Sequence, residues 1–212
     1  MGKLSGGAFD EFSGKVGNLV ASNWKGINVI KRRPKRRKNK KLTEAQLDQQ
    51  AKFALVCEFL HPLTPLLNVA YKRYTKEKSA FNSAMAYALE HSITGSYPDY
   101  KIDWPNMKIS RGSLPIPHGL NAKAGPNIIT FAWSDENIYL PALPSDRSIA
   151  VLYCEEMKEF AYTWTGSIRN EGITVMNVSN FKGKAVHTWM SFMSDDGARI
   201  SNSLYTGVLI VQ

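Results

Sequence analysis

The sequence predicts an α+β protein: a basic N-terminal arm with a β-hairpin, a run of short helices, and a C-terminal all-β sandwich. Three observations carry that expectation. Residues 1–41 hold twelve Lys and Arg against two acids, whereas the remainder holds 15 basic and 16 acidic residues. Apolar residues recur at helical spacing between 42 and 95. From residue 107 onward they alternate in short segments bounded by turn residues. With 212 residues and 43% hydrophobic content, the chain suits one large domain or two small ones and can build a core. The expected parts are 1–41, 42–96 and 97–212.

In the first part, "GKVGNLVASNWKGINVIKRRP" reads as two short strands around a turn. Val16, Leu19 and Val20 lie on one side of "SNWKG", and Ile27, Val29 and Ile30 on the other. Asn23 and Gly26 supply turn chemistry, and Gly14 and Gly17 mark special backbone angles. A lone hairpin is marginal in water, so it is expected to dock on the body or on another copy of the chain.

The second part is helical. Thr43 with Gln46 three residues later forms a capping box, flanked by a staple of Leu42 and Leu47. Phe53, Val56, Cys57 and Leu60 then repeat at helical spacing. "HPLTP" at 61–65 breaks this helix, and Thr64-Pro65 restarts a short one. A third helix runs from about Lys76 with Phe81, Ala84, Met85, Ala88 and Leu89 on one face, ending at Gly95.

The third part follows an aromatic connector, "YPDYKIDWPNM" (97–107). Its predicted strands are Lys108–Ser110, Ile128–Trp133, Ser148–Cys154, Glu159–Thr165, Ile173–Val178, Ala185–Met193 and Ser203–Val211. Ile129, Phe131 and Trp133 share one face of a strand; so do Val186, Thr188, Met190 and Phe192. Seven short strands in this length match the rhythm of an immunoglobulin-like or fibronectin type III-like sandwich. No cysteine pair sits where an antibody-type domain requires one.

The chemistry of the chain points away from the familiar enzymes. Cys57 and Cys154 are the only cysteines, too few for a disulfide framework, and both read as buried free thiols. His61, His91, His118 and His187 are scattered, without HExxH or CxxC spacing, so no metal or cofactor is expected. His187 reads as an exposed or satisfied sheet histidine beside Trp189, in preference to a catalytic base. A phosphate loop ending at Gly14-Lys15 requires Gly at position 9, where Phe9 stands. No G-x-S-x-G occurs. Asp135-Glu136, Glu155-Glu156 and Asp195-Asp196 fall at turns, where adjacent carboxylates do not converge on one pocket. A non-enzyme is expected, with an enzyme built from scattered residues at the helix–sandwich junction as the weakest alternative. No signal-peptide core opens the chain and no run reads as long enough to span a bilayer. The expected location is the cytoplasm, or a particle assembled there.

The strongest physical signal is the run from 31 to 41. Lys31, Arg32, Arg33, Lys35, Arg36, Arg37, Lys38, Lys40 and Lys41 are nine cations in eleven residues, with Trp24 and Lys25 just upstream. Clustered Lys and Arg release counterions from a phosphate backbone, and a Trp beside them can stack on an unpaired base. The same run also reads as a solvated linker whose charge keeps an edge strand from aggregating, or as a contact strip for an acidic partner or anionic surface.

Several motifs together, "GKLSGGAFDEFSGKVGNLVASNWKGINVIKRRP", "LTEAQLDQQAKFALVCEFLHPL", "FNSAMAYALEHSITGSYPDYKIDW", "ISRGSLP" and "ISNSLYTGVL", resemble an uncharacterised family of bacterial proteins, mainly from Bacteroidota, a domain of unknown function. The resemblance spans nearly the whole chain and implies a bacterial cytoplasmic or phage-derived origin. It brings no catalytic residues. The opening is also similar to those of some phage-associated virion or assembly proteins, which implies a structural role. The expected function is therefore a non-enzymatic structural or interaction protein whose basic arm contacts nucleic acid or a neighbouring subunit. The alternative is a cytosolic nucleic-acid-binding protein acting as a monomer.

Overall fold

The computed structural model describes residues 2–4, 13–24, 26–34, 41–76, 78–134 and 141–212 and divides into two compact units, Met1–Thr43 and Glu44–Gln212. In the first, β1 (Gly2–Leu4), β2 (Gly14–Val16), β3 (Leu19–Trp24) and β4 (Ile27–Arg32) form one antiparallel sheet in the order β1-β4-β3-β2. Gly17-Asn18 joins β2 to β3 in a two-residue hairpin, and Gly17 takes φ 54°, the positive angle such turns require at their first position. Between β3 and β4, Asn23 Oδ1 accepts the Gly26 amide at 3.2 Å, the predicted turn chemistry. The sheet corrects the two-strand expectation. β3 runs on through Asn23 and Trp24, and Gly17 turns the chain early enough to make β2 a separate strand.

The second unit opens with α1 (Glu44–Leu60), which starts directly after Thr43, where the capping box places it. Its packed face runs through Asp48, Lys52, Val56 and Phe59. Phe53, expected on that face, falls on its flank and is 51% exposed. Cys57 is half-buried, Cys154 is buried, and both are free. His61–Leu63 make one 3₁₀ turn, and α2 (Thr64–Ala70) follows without a break. The break expected at 61–65 is a change of turn and not a gap: Pro62 sits in the first positions of the 3₁₀ turn, and Pro65 in those of α2, the restart predicted at Thr64-Pro65, where a missing N–H breaks no intrahelical bond. Glu44–Ala70 is thus a helical stretch of 27 residues, long and apolar enough by length and composition to cross a membrane, a length the prolines concealed in the sequence. Leu60, Leu63, Leu66 and Leu67 within it are fully buried in this unit.

α3 (Ala80–His91) is capped by Ser79, whose Oγ accepts the Asn82 amide at 3.1 Å, and it buries Ala84, Met85 and Ala88 as its periodicity predicts. It begins after the predicted Lys76 and stops at His91. Gly95 is not its cap but part of a hairpin, β5 (Ile93–Ser96) and β6 (Asp99–Ile102), that extends into the stretch read as a connector.

Seven further strands follow: β7 (His118–Gly125), β8 (Ile128–Ser134), β9 (Arg147–Cys154), β10 (Glu159–Thr163), β11 (Ile173–Asn177), β12 (Ala185–Met193) and β13 (Leu204–Ile210). They form two antiparallel sheets, β10-β9-β12-β13 and β11-β8-β7. Six of the predicted strands are present. Lys108–Ser110 is not a strand, and β7 takes its place. The β7 sequence, HGLNAKAG, alternates but holds none of the β-branched or aromatic residues favoured in strands, and the predicted turn at "KAGPN" shortens to Pro126-Asn127.

Layering explains the pattern of β9. One face of the four-stranded sheet (Ala150, Leu152, Cys154, Met190, Phe192) packs on Ile129, Phe131 and Trp133 of the other sheet. The opposite face (Ile149, Val151, Tyr153, Trp189) carries the helices through Phe59, Leu60 and Leu63. A central strand buried on both sides reads as an unbroken apolar run, here IAVLYC. The four-stranded sheet is therefore the common wall of two cores, one shared with the helices and one with the three-stranded sheet. At one margin, residues 109–114 lie against 200–203. The Ile109 amide donates to Ser203 Oγ at 2.8 Å, the Ser203 amide to Ser110 O at 3.0 Å, Ser110 Oγ to Ser201 O at 2.9 Å, and the Leu114 amide to Ile200 O at 2.9 Å. Two of the motifs quoted above, "ISRGSLP" and "ISNSLYTGVL", are thus bonded to each other.

Candidate nucleic-acid interface

The basic run enters the structure through β4. Lys31 pairs with Val20 and Arg32 with Leu19, and the Arg33 amide donates to Asn18 O at 2.7 Å, which extends the pairing one residue past the strand. Lys31, Arg32, Arg33 and Pro34 are all exposed, as is Lys41. Lys25, Lys35, Arg36, Arg37, Lys38 and Lys40 lie outside the described residues. Trp24 closes β3, its backbone paired with Ile27.

Register adds a cation that the run does not contain. Lys15 on β2 pairs with Val20, and Val20 with Lys31, so Lys15 and Lys31 sit on one face two strands apart, about 10 Å. Arg32 points to the other face, in a row with Leu19 and Val16. Each face of the sheet thus offers a cation beside apolar side chains, an arrangement able to neutralise phosphates. No sequence pattern marks Lys15; only strand pairing brings it to Lys31.

In the second unit a cleft lies next to His187. His187 Nδ1 shares a hydrogen bond with Tyr205 Oη at 2.8 Å, its Nε2 lies 3.8 Å from Glu155 Oε2, and its ring stacks on Trp104 at 4.3 Å. Burial pushes the His187 imidazole below its ordinary range, with Glu155 pulling it back. A cleft of about 350 Å³ beside it is lined by Glu58, Phe59, Tyr100, Trp104, Tyr153 and Glu155. Burial pushes the Tyr153 phenol up, and Glu155 and Glu58 add to the shift. Glu58 is paired with Lys158 at 2.6 Å. Both carboxylates of the cleft therefore face a basic group, and His187 is a satisfied sheet histidine as the sequence predicts. Among the described residues no group of three or more His, Cys, Asp or Glu could hold a metal ion.

None of the curated proteins matches this sequence. A family model matches residues 11–207, from just before β2 to within β13, and so takes in most of both units, all of "ISRGSLP" and the first eight residues of "ISNSLYTGVL". The chain belongs to DUF6266, a family of unknown function.

Proposed function

We propose that this protein is a non-enzymatic interaction protein, a structural or assembly component of a particle, whose basic N-terminal unit contacts nucleic acid or a neighbouring subunit. The observation that carries this reading is how little the N-terminal sheet buries. Among its described residues Ala21 is the one fully buried apolar residue, whereas Val16, Leu19 and Ile27 are 58%, 47% and 45% exposed. A sheet with so small a core gains its stability from whatever covers it. The exposed cations Lys15, Lys31, Arg32 and Arg33 stand beside those apolar residues and favour an anionic cover.

The strand order of the second unit supports a fibronectin type III-like reading of the sandwich. Counting from β7, the first, second and fifth strands share one sheet, and the third, fourth, sixth and seventh share the other, with the fourth beside the third. That architecture hosts many recognition modules, and the role proposed rests on the N-terminal unit, not on the fold.

Light scattering on the chromatographed protein is expected to show oligomers; a strict monomer at high concentration counts against assembly. Binding to labelled single- and double-stranded DNA is expected to weaken steeply with salt and to drop when the run Lys31–Lys41 is neutralised. Affinity unchanged by that neutralisation would remove the run from nucleic-acid contact.

A further inference from the structure

A second cationic site lies wholly within the Glu44–Gln212 unit. A cleft of about 670 Å³ opens beside α3 and the segment around Arg111, lined by Arg73, Tyr74, Lys76, Lys78, Tyr87 and Arg111 among others. Four of its described lining residues are Lys or Arg, and one, Glu90 on the exposed rim, is an acid.

Arg111 is the built element of this cleft. Its guanidinium carbon lies 4.8 Å from the Tyr74 ring centre and 5.1 Å from that of Tyr87, so the planar group is held between two aromatic rings. Its backbone is pinned on both sides. Ser110 is bonded to Ser201, and the Gly112 amide donates to Asn202 Oδ1 at 3.2 Å. Arg73 is steadied by donating Nη1 to Ser113 Oγ at 2.9 Å, and the Tyr87 ring is backed by His91, stacked at 4.4 Å. Among the described residues, Arg73, Lys76 and Arg111 have no carboxylate within salt-bridge distance. A half-buried, pre-oriented guanidinium with no counter-charge among the described residues is matched by an anion whose oxygens accept two parallel N–H bonds, which is phosphate chemistry. Several cations spread along one open cleft suit a chain of phosphates better than a single one. Tyr74, 40% exposed at the wall, offers a surface on which an unpaired base can rest.

We propose that this cleft binds the phosphodiester backbone of a single-stranded nucleic acid, Arg111 gripping one phosphate while Arg73, Lys76 and Lys78 neutralise its neighbours. The site is independent of the N-terminal unit. It is therefore tested in the full-length chain with the nine Lys and Arg of 31–41 replaced by Gln. The probe is a labelled oligothymidylate of about 12 nucleotides, titrated between about 50 and 200 mM salt.

Binding persists in that background if the cleft is a site. The triple variant Arg73→Gln/Lys76→Gln/Lys78→Gln lowers the slope of log affinity against log salt by about 2. Arg111→Gln weakens binding about ten-fold or more, and Arg111→Lys restores part of it, because an ammonium keeps the charge but loses the planar fork. Lys76 and Lys78 are exposed, so the triple variant is expected to keep the parent's thermal midpoint and report on binding alone. Loss of all binding on neutralising 31–41, or binding that both cleft variants leave unchanged, overturns the cleft and leaves the N-terminal contact standing. Binding untouched by neutralising 31–41 but lost in the cleft variants does the reverse. Competition by inorganic pyrophosphate at the same concentration of phosphate as the oligonucleotide would make this a free-phosphate site and overturn the polymer reading.

Discussion

Gly112 lies so close to Ile200 that no side chain fits between them: a Cβ on Gly112 would stand 2.0 Å from the Ile200 carbonyl oxygen and 2.7 Å from its Cγ2. The obstacle is backbone, held in place by the Leu114 amide, which donates to that same carbonyl. The Gly112→Ala variant must therefore push the two segments apart and strain the bonds that tie 109–114 to 200–203. The expected loss is about 2 kcal/mol, a fall in Tm of about 4–8 °C for a chain of this size, read by thermal unfolding. An unchanged Tm would show that the segments separate at no cost.

The ion pair of Arg169 and Asp146 is buried, with side chains 1% and 0% exposed and Nε 3.3 Å from Oδ2. Arg169 also donates Nη2 to Pro115 O at 2.6 Å and lies over the Phe192 ring, while its carbonyl accepts Trp133 Nε1 at 2.8 Å. Removing one partner strands the other charge in the core. Arg169→Met is expected to cost about 3–5 kcal/mol because it strands the Asp146 carboxylate, and adding Asp146→Leu to recover part of it because that buried charge is then gone. Denaturant unfolding of the two variants checks this; a double variant as unstable as the single would contradict it.

These two features also show where the sequence is readable. Alternation, or in β9 an unbroken apolar run, together with turn clusters that carry Gly, Asp and Asn, locates β8 to β13. β7 escapes because its inward residues are only Leu120, Ala122 and Ala124, set between Gly, Asn and Lys, with none of the β-branched or aromatic residues that mark a strand. Thr43 marks the start of α1 correctly, yet Phe53 and Val56 fit one helical period equally well, and only packing separates flank from face. Of the cations, Lys31, Arg32 and Arg33 stand out as a run. Lys15 reaches Lys31 through register alone, and Arg111 meets Arg73 and Lys76 only after α3 and the β5–β6 hairpin have folded between them. Long-range juxtaposition leaves no local pattern.

His187 makes the protein sensitive to mild acid. Burial holds its imidazole below the ordinary value of 6.5, against an opposing pull from Glu155. As pH falls through 6.5 the unfolded chain binds a proton that the folded chain still refuses. The stability from neutral His187 is therefore complete above 6.5 and is lost as pH falls towards the folded value. The unfolding free energy of the wild type minus that of His187→Gln is expected to be larger at about pH 7.5 than at about pH 5.5, and Glu155→Gln to deepen the acid loss. Denaturant titrations at both pH values decide it. Equal differences at the two would remove His187 from the acid response.

The division at Thr43 gives the last prediction. Among the described residues, every fully buried apolar side chain except Ala21 belongs to Glu44–Gln212, and that unit contains the helical layer, both sandwich sheets and the segments bonded at 109–114 and 200–203. A fragment of residues 44–212 therefore retains the core intact. Its unfolding midpoint is expected to lie within about 4 °C of the full chain's, equivalent to a change of about 1 kcal/mol, with unchanged near-ultraviolet circular dichroism from Trp104, Trp133 and Trp189. Residues 1–43 alone are expected to be largely unfolded in water, since a small sheet needs a covered face, and to gain strand signal when mixed with the surface that covers them. A fragment 44–212 that melts far below the full chain would show that the N-terminal sheet is part of the core, and that its apolar residues are buried against this same chain and not against a partner.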